Sequence, residues 1–189
     1  GENLSEMGYG TGLSKTPPYI AVKVPVFSFE KLSGLDVHLG PEMKSTGEVL
    51  GIGKTLHEAL YKGLCAAGYR MEKSGGVLIT VRDSDKAEMV PIARKYADLG
   101  FPLYATKGTA RALREAGMEA HVVNKMHESS ENTATLLESG KISYILSTSA
   151  KGRLPQRDSV KIRRHAVELN IPCLTSLDTA NALADICLL

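Results

Sequence analysis

The sequence lacks any apolar run long enough to cross a membrane. Its longest uncharged apolar stretches, residues 75–80 and 144–146, have the length of single strands, whereas a transmembrane helix needs about 20 apolar residues. Its beginning also lacks a basic region followed by an apolar stretch and a small-residue cleavage site, so nothing in it predicts export. We therefore expect a cytoplasmic protein with no membrane partner.

Cysteine is scarce, and charge of one sign is not in large excess. Cys65, Cys173 and Cys187 are odd in number, widely spaced and set among apolar neighbours, which favours reduced, buried thiols over a disulfide framework or a zinc site. A formal net charge of +2 provides no strongly basic domain, so we expect no nucleic-acid partner. His121 and His127 have no Cys, Asp or His at metal-ligand spacing, and the sequence predicts neither a metal site nor a catalytic residue.

Glycine and proline, in contrast, are frequent in the first 50 residues and predict irregular structure with short strands there. Residues 19–29 are β-rich, and Thr55 with Glu58 forms a capping box that begins a helix ending at Gly68. The stretch 69–76 has the composition of a linker. We therefore divide the chain into residues 1–72 and 73–189.

From Gly76 onward, short apolar strands alternate with amphipathic helices, which is typical of a parallel sheet covered on both faces. One helix lies between the first two strands and is followed by a stop at Gly100, and further stops are expected at Gly117, Gly140 and Asn170. The pattern predicts a flavodoxin-like α/β fold with five parallel strands. The predicted strands are 77–81, 103–106, 121–123, 144–147 and 172–174, and the other predicted helices are 109–116, 131–139, 158–169 and 178–188.

Hydroxyl groups and cations recur just beyond these strands, where ligands bind in open parallel sheets. The turn from Thr106 to Thr109 contains small residues and a glycine at a helix start, an arrangement that can turn backbone N–H groups toward one anion. Lysines would add compact positive charge for phosphate oxygens. The predicted phosphate-binding residues are Thr80, Lys86, Thr106, Gly108, Thr109, Lys125, Ser147, Thr148 and Ser149.

Two simpler interpretations of these residues stay open. Thr109 could merely cap its helix, and the lysines could be solvated surface residues. The carboxylates Glu128, Glu131 and Asp158 are the nearest candidates for a general base, but acidic side chains also favour helix starts without any catalytic role.

Two segments resemble a known family. The stretch 39–51, Leu-Gly-Pro-Glu-Met-Lys-Ser-Thr-Gly-Glu-Val-Leu-Gly, closely resembles the end of an ATP-grasp half in carbamoyl phosphate synthetase large subunits. The stretches 103–109 and 123–128 are similar to the methylglyoxal-synthase-like domain of the same subunits. The resemblance implies that residues 1–72 are the end of the second ATP-grasp half and that 73–189 are the allosteric domain.

In that family the domain is regulatory, so the resemblance implies binding of a nucleotide monophosphate such as UMP or IMP. Thr80 and Lys86 would fall on the first phosphate-binding segment, Thr106 and Thr109 on the phosphate turn, and Lys125 on the lysine site. Ser147, Thr148 and Ser149 would face the sugar or phosphate. Cys173 and Thr175 stand where members that respond to ornithine carry a tyrosine and a threonine, which weakens an expectation of ornithine control.

The resemblance also implies a parent enzyme that makes carbamoyl phosphate from bicarbonate, glutamine-derived ammonia and two ATP, with Mg or Mn, for pyrimidine and arginine biosynthesis. Its partners would be the remaining large-subunit domains and a glutaminase small subunit. The present chain is expected to be non-catalytic and to hold no cofactor itself.

Enzymes with the same fold provide the alternative functions. A methylglyoxal synthase would need a catalytic aspartate, but the matching stretch, residues 129–132, reads Ser-Ser-Glu-Asn. A purine cyclohydrolase domain would not carry the motif at 39–51. A third possibility is a structural docking domain with a vestigial pocket.

Overall fold

The computed structural model describes residues 1–10, 12–31, 41–126, 128, 130, 132–148 and 158–187. Their arrangement consists of a small antiparallel ribbon with one helix, followed by a five-stranded parallel sheet with five helices. No helix in these ranges combines the length and apolar character that a bilayer crossing requires.

The antiparallel ribbon contains strands β1 (Ile20–Val26) and β2 (Gly47–Gly53), and helix α1 (Leu56–Ala66) packs on it. A Cβ on Gly53 would lie 2.7 Å from the backbone nitrogen of Ala59, and one on Gly51 would collide with the Ala59 carbonyl. Only glycine allows the helix to approach this closely. Glycine disfavours strands in general, so the sequence pattern did not delimit β2.

Helix α1 begins at a capped residue, as predicted. The Thr55 hydroxyl accepts a hydrogen bond from the Glu58 backbone N–H at 3.2 Å. The Glu58 carboxylate, however, accepts from the N–H of Lys54 at 2.8 Å, one residue before the cap. The second half of the predicted capping box is therefore shifted by one residue, and the helix ends two residues before Gly68.

The parallel sheet has the strand order β5-β4-β3-β6-β7 and confirms the predicted α/β architecture. Its strands are β3 (Gly76–Thr80), β4 (Leu103–Thr106), β5 (His121–Val123), β6 (Ile142–Ser147) and β7 (Cys173–Leu174), and its helices are α2 (Lys86–Asp98), α3 (Lys107–Glu115), α4 (Thr133–Glu138), α5 (Asp158–Glu168) and α6 (Leu177–Cys187).

Alternate residues of the central strands pack on opposite sides of the sheet. Val77 and Ile79 of β3 belong to the core formed with α2, α3 and α6, while Leu78 contacts the core formed with α4 and α5. The larger core also includes Val24 of β1 and Leu64 of α1. One continuous apolar cluster therefore joins the ribbon to the sheet.

Three details of the sequence analysis need comment. Residues with positive φ follow the helices at the predicted stops, Gly100, Gly117, Gly140 and Asn170. Helix α3 begins at Lys107 and not at Thr109, because Thr106 occupies the N-cap position. The three cysteines are free, but Cys65 is exposed on α1 and the expectation that it is buried was wrong, while Cys173 and Cys187 are half-buried.

Candidate functional site

The carboxyl ends of β3 and β6 lie at the switch point of the sheet. The chain passes from β3 to its neighbour on one side and from β6 to its neighbour on the other side. Thr80 of β3 pairs in register with Ser147 of β6, and the next strands along the chain, β4 and β7, lie on opposite sides of this pair. Crevices at such switch points are the usual ligand sites of open α/β sheets. The predicted site residues of both strands thus share one edge.

Helix α3 presents its amino end at this edge beside a lysine. Its N-cap, Thr106, makes no side-chain capping hydrogen bond, so the first-turn N–H groups are not covered by that hydroxyl. A Cβ built on Gly108 would lie 3.1 Å from the Nζ atom of Lys86. The ammonium group of Lys86 therefore sits against the positive end of the α3 dipole, which is a favourable position for an anion between them.

Lys86 is balanced by one exposed carboxylate in the structure. Its Nζ atom lies 2.6 Å from Oδ1 of Asp83, whose side chain is 94% exposed. The hydrogen bond from Lys86 holds the pKa of Asp83 below its usual range. Because Asp83 is solvated, its pairing with Lys86 contributes little free energy.

Two of the predicted hydroxyl groups are buried at this edge and differ in their bonding. The Thr109 hydroxyl accepts a hydrogen bond from the N–H of Val81 at 3.5 Å. It therefore ties α3 to the end of β3 and does not cap the helix. The Ser147 hydroxyl is fully buried and has no hydrogen-bond partner among the described residues, and such a group normally has a protein, water or ligand partner.

Lys125 follows β5 at the far side of the same edge. Its backbone N–H donates to the Glu128 carboxylate at 3.1 Å, and Lys107 lies 3.8 Å from that carboxylate. The Lys125 side chain is exposed. Glu128 in the loop after β5 thus contacts both Lys107 of α3 and the backbone of Lys125.

Sequence reasoning missed Thr133, the first residue of α4. Its hydroxyl is buried and, like that of Ser147, has no partner in the described part of the chain. The adjacent Asn132 caps α4 and bridges to Asn124 at the end of β5. The pair Asn132-Thr133 was the available signal, since two polar residues before an apolar helix mark a capped start.

Thr148 has a different environment from the other predicted residues. Its N–H donates to the Thr80 carbonyl at 3.2 Å, and its hydroxyl accepts from the N–H of Arg82 at 3.2 Å. The residue also lines a separate cleft beside β7. Ser149 lies outside the described residues, as do Glu131 and His127.

The separate cleft has a volume of about 840 Å³ and lies between the ribbon and the ends of β6 and β7. Cys173 and Thr175 line it. Burial raises the pKa of the Cys173 thiol to about 12, against a smaller lowering by the Arg163 guanidinium. A thiol with this pKa is protonated at neutral pH and is a poor nucleophile.

Taken together, the sheet edge provides cations, helix-start N–H groups that the N-cap side chain does not bond, and buried hydroxyls, which are the groups that bind phosphate. No cluster of three or more His, Cys, Asp or Glu side chains within the described ranges is arranged to hold a metal ion.

Comparison with known proteins agrees with this description. Residues 88–175 match the family model of the MGS-like domain. This segment of the chain is therefore similar to MGS-like domains. The match runs from the third residue of α2 to the residue after β7. It includes most of the candidate phosphate-binding residues but neither Thr80 nor Lys86.

Nearly the whole chain, including the residues outside this match, is similar to known sequences. A carbamoyl phosphate synthase large chain from Lachnoclostridium phytofermentans is 50% identical over 183 residues, which are 97% of this chain and 17% of that protein. One from Clostridium botulinum is 49% identical over 187 residues, 98% of this chain and 18% of that protein. The resemblance predicted from residues 39–51, 103–109 and 123–128 is thereby confirmed, and the chain spans less than a fifth of the length of these relatives.

A solved structure of methylglyoxal synthase from Elizabethkingia anophelis NUHP1 matches with a TM-score of 0.47 and 16% identity, over 59% of this chain and 78% of that one. The assignment of the MGS-like domain is based on the family model and the strand order.

Proposed function

We propose that this chain is the effector-binding, regulatory part of a carbamoyl phosphate synthase large chain, and that its MGS-like domain binds a nucleotide monophosphate such as UMP or IMP. The phosphate group would lie between the Lys86 ammonium and the amino end of α3. The buried hydroxyls of Ser147 and Thr133 are further hydrogen-bonding groups on the same sheet edge.

The observation that carries the proposal is the placement of Lys86 against Gly108. Residues 86 and 108 are on different helices, yet the Nζ atom lies within 3.1 Å of the position of a Gly108 Cβ. The absence of a side chain at 108 leaves the helix end open to a ligand, and the ammonium supplies a charge that backbone N–H groups alone do not. Phosphate recognition uses this combination of point charge and backbone amides.

The parent enzyme would make carbamoyl phosphate from bicarbonate, glutamine-derived ammonia and two ATP in the cytoplasm. ATP and Mg or Mn would bind in its other domains, and a glutaminase subunit would supply ammonia. In this setting the effector would shift the parent between two states by binding one more tightly than the other.

The test is calorimetric titration of this chain with UMP, IMP and inorganic phosphate. We expect saturable binding of at least one nucleotide, and Lys86→Gln should weaken it about 10-fold to 100-fold because one charge-assisted hydrogen bond is lost. Lys161→Gln is the matched control, since Lys161 is exposed on α5 and should leave the affinity unchanged.

Three outcomes would contradict the proposal. If the Lys86→Gln variant binds the nucleotide as tightly as the unchanged chain does, the phosphate group does not lie at the amino end of α3. Release of methylglyoxal from dihydroxyacetone phosphate by this chain would instead establish an enzyme of the methylglyoxal synthase type, and a folded chain that binds no nucleotide or phosphate would favour a docking role.

A further inference from the structure

The segment that joins β3 to α2 pairs each of two cations with a carboxylate three residues away. The Nε atom of Arg82 lies 2.7 and 2.8 Å from the two carboxylate oxygens of Asp85. The Nζ atom of Lys86 lies 2.6 Å from Oδ1 of Asp83. Lys86 belongs to the candidate phosphate site, so the second pair places a negative charge of the chain itself at that site.

The two pairs differ in how firmly the carboxylate is held. The Asp85 side chain is 12% exposed, and one of its oxygens also accepts a hydrogen bond from the Ser84 hydroxyl at 2.8 Å. The Asp83 side chain is 94% exposed and reaches Lys86 through one oxygen. An ion pair with so exposed a partner is weak. Asp83 can therefore turn into water at the cost of a single contact, whereas Asp85 is fixed.

Asp83 makes the same kind of bond to Lys86 that a phosphate oxygen would make. Carboxylate and phosphate oxygens both accept charge-assisted hydrogen bonds from an ammonium group. The hydrogen bond from Lys86 holds the pKa of Asp83 below its usual range, so the carboxylate is ionised at neutral pH. Asp83 is thus a permanent anion within reach of the ammonium group that faces Gly108 at the start of α3.

A phosphate group at the amino end of α3 would have to compete with this carboxylate. If Asp83 leaves, the apparent affinity falls in proportion to the fraction of molecules in which Lys86 is unpaired. If Asp83 stays, two negative groups share one ammonium group and repel each other. Either arrangement makes the site weaker than its cation and N–H groups alone would make it.

We propose that Asp83 is an autoinhibitory residue of the candidate phosphate site, because its carboxylate occupies the Lys86 ammonium group and must leave before a phosphate group can bind there. The inference rests on the proposed function and adds to it a residue that lowers the affinity. Asp83 then raises the effector concentration at which the domain responds. A change of one exposed side chain is enough to shift that concentration without altering the groups that contact the ligand.

The experiment is calorimetric titration of the full chain and its variants with UMP, IMP and inorganic phosphate. Asp83→Asn removes the charge at nearly constant size and should strengthen binding about 3-fold to 10-fold. Glu88→Gln is the matched control, because Glu88 is an exposed acid in the first turn of α2. Residues two apart on a helix do not face each other, so this variant should change the affinity less than about 2-fold.

Two further variants test whether the effect passes through Lys86. Asp83→Glu keeps a carboxylate near the ammonium group and should bind like the unchanged chain. In a chain that already carries Lys86→Gln, Asp83→Asn should change the affinity less than about 2-fold, because no ammonium group is left to release. Urea denaturation of each variant verifies that it is folded.

This inference and the proposed function fail in different ways. If the unchanged chain and Asp83→Asn bind a nucleotide equally well, and Lys86→Gln weakens both, autoinhibition is overturned and the proposed function stands. An equal gain in Glu88→Gln, or a gain from Asp83→Asn that persists without Lys86, also overturns it, because the effect is then one of overall charge. If neither the unchanged chain nor Asp83→Asn binds any of the three ligands, both fail together.

Discussion

Gly108 is the second residue of α3, and the space beside its Cα is where the Lys86 ammonium and the helix end face a common volume. A methyl group there would meet the far end of a flexible lysine side chain and not rigid backbone. A substitution at position 108 can therefore change ligand affinity without lowering fold stability, although the two properties usually change together.

We expect Gly108→Ala to weaken phosphate or nucleotide binding at least 10-fold while leaving the free energy of unfolding unchanged or raising it by up to about 1 kcal/mol, since alanine favours helix over glycine. Calorimetry measures the first quantity and urea denaturation the second. A variant that loses stability as well as affinity would show that Gly108 is needed for packing and would remove this support for the site.

At the same scale, the sequence predicted which residues meet at the sheet edge better than it predicted their bonds. Lys86, Thr106 and Gly108 lie together because strand ends of a parallel sheet share an edge. The bond from Val81 to Thr109 joins residues 28 positions apart, and no local pattern encodes it. The buried hydroxyl of Thr133 was missed because burial of a helix-start threonine depends on tertiary packing.

Among the elements, the five strands and five helices after residue 75 were predicted because short apolar segments alternate regularly with amphipathic helices. Strand β2 was not predicted because it contains three glycines, Gly47, Gly51 and Gly53. The close approach of α1, which requires glycine at positions 51 and 53, is visible only in the folded structure. Tertiary contact has overridden strand propensity here.

This strand offers a controlled experiment. Gly51→Ala should lower the free energy of unfolding by about 1–3 kcal/mol, as overpacking does in other proteins, because its Cβ would collide with the backbone of α1. Gly47→Ala is the control in the same strand, since nothing lies within 4 Å of its Cβ position. Urea denaturation compares the two, and equal effects would show that α1 does not pack on β2 as described.

For the whole molecule, the predicted division at residue 72 coincides with a change of topology but not with a gap in the apolar core. Leu64 of α1 belongs to the same cluster as Val77 and Tyr144. The Tyr144 hydroxyl donates to the Glu72 carbonyl at 2.7 Å, and Asp185 of α6 lies 2.5 Å from Lys95 and 3.9 Å from His57 of α1. Several kinds of contact thus join ribbon and sheet.

We therefore expect the two parts to unfold together. Leu64→Ala should cost about 2–5 kcal/mol, as for other buried leucines, and should reduce hydrogen-exchange protection in β3 and β6 as well as in β1 and β2. Leu56→Ala, at an exposed position of the same helix, should change either quantity by less than about 0.5 kcal/mol. Protection lost only in the ribbon would show two independent folding units.

The strand lengths of the parallel sheet bear on how the chain avoids self-association. Its two outermost strands, β5 and β7, have three and two residues, and an edge so short offers few unpaired N–H and C=O groups to a second chain. Strands β1 and β2 have seven residues each, and in the described part of the chain each pairs only with the other. Intermolecular strand addition, and with it the risk of aggregation when the chain is concentrated, is therefore confined to the ribbon, while the parallel sheet is protected at both ends.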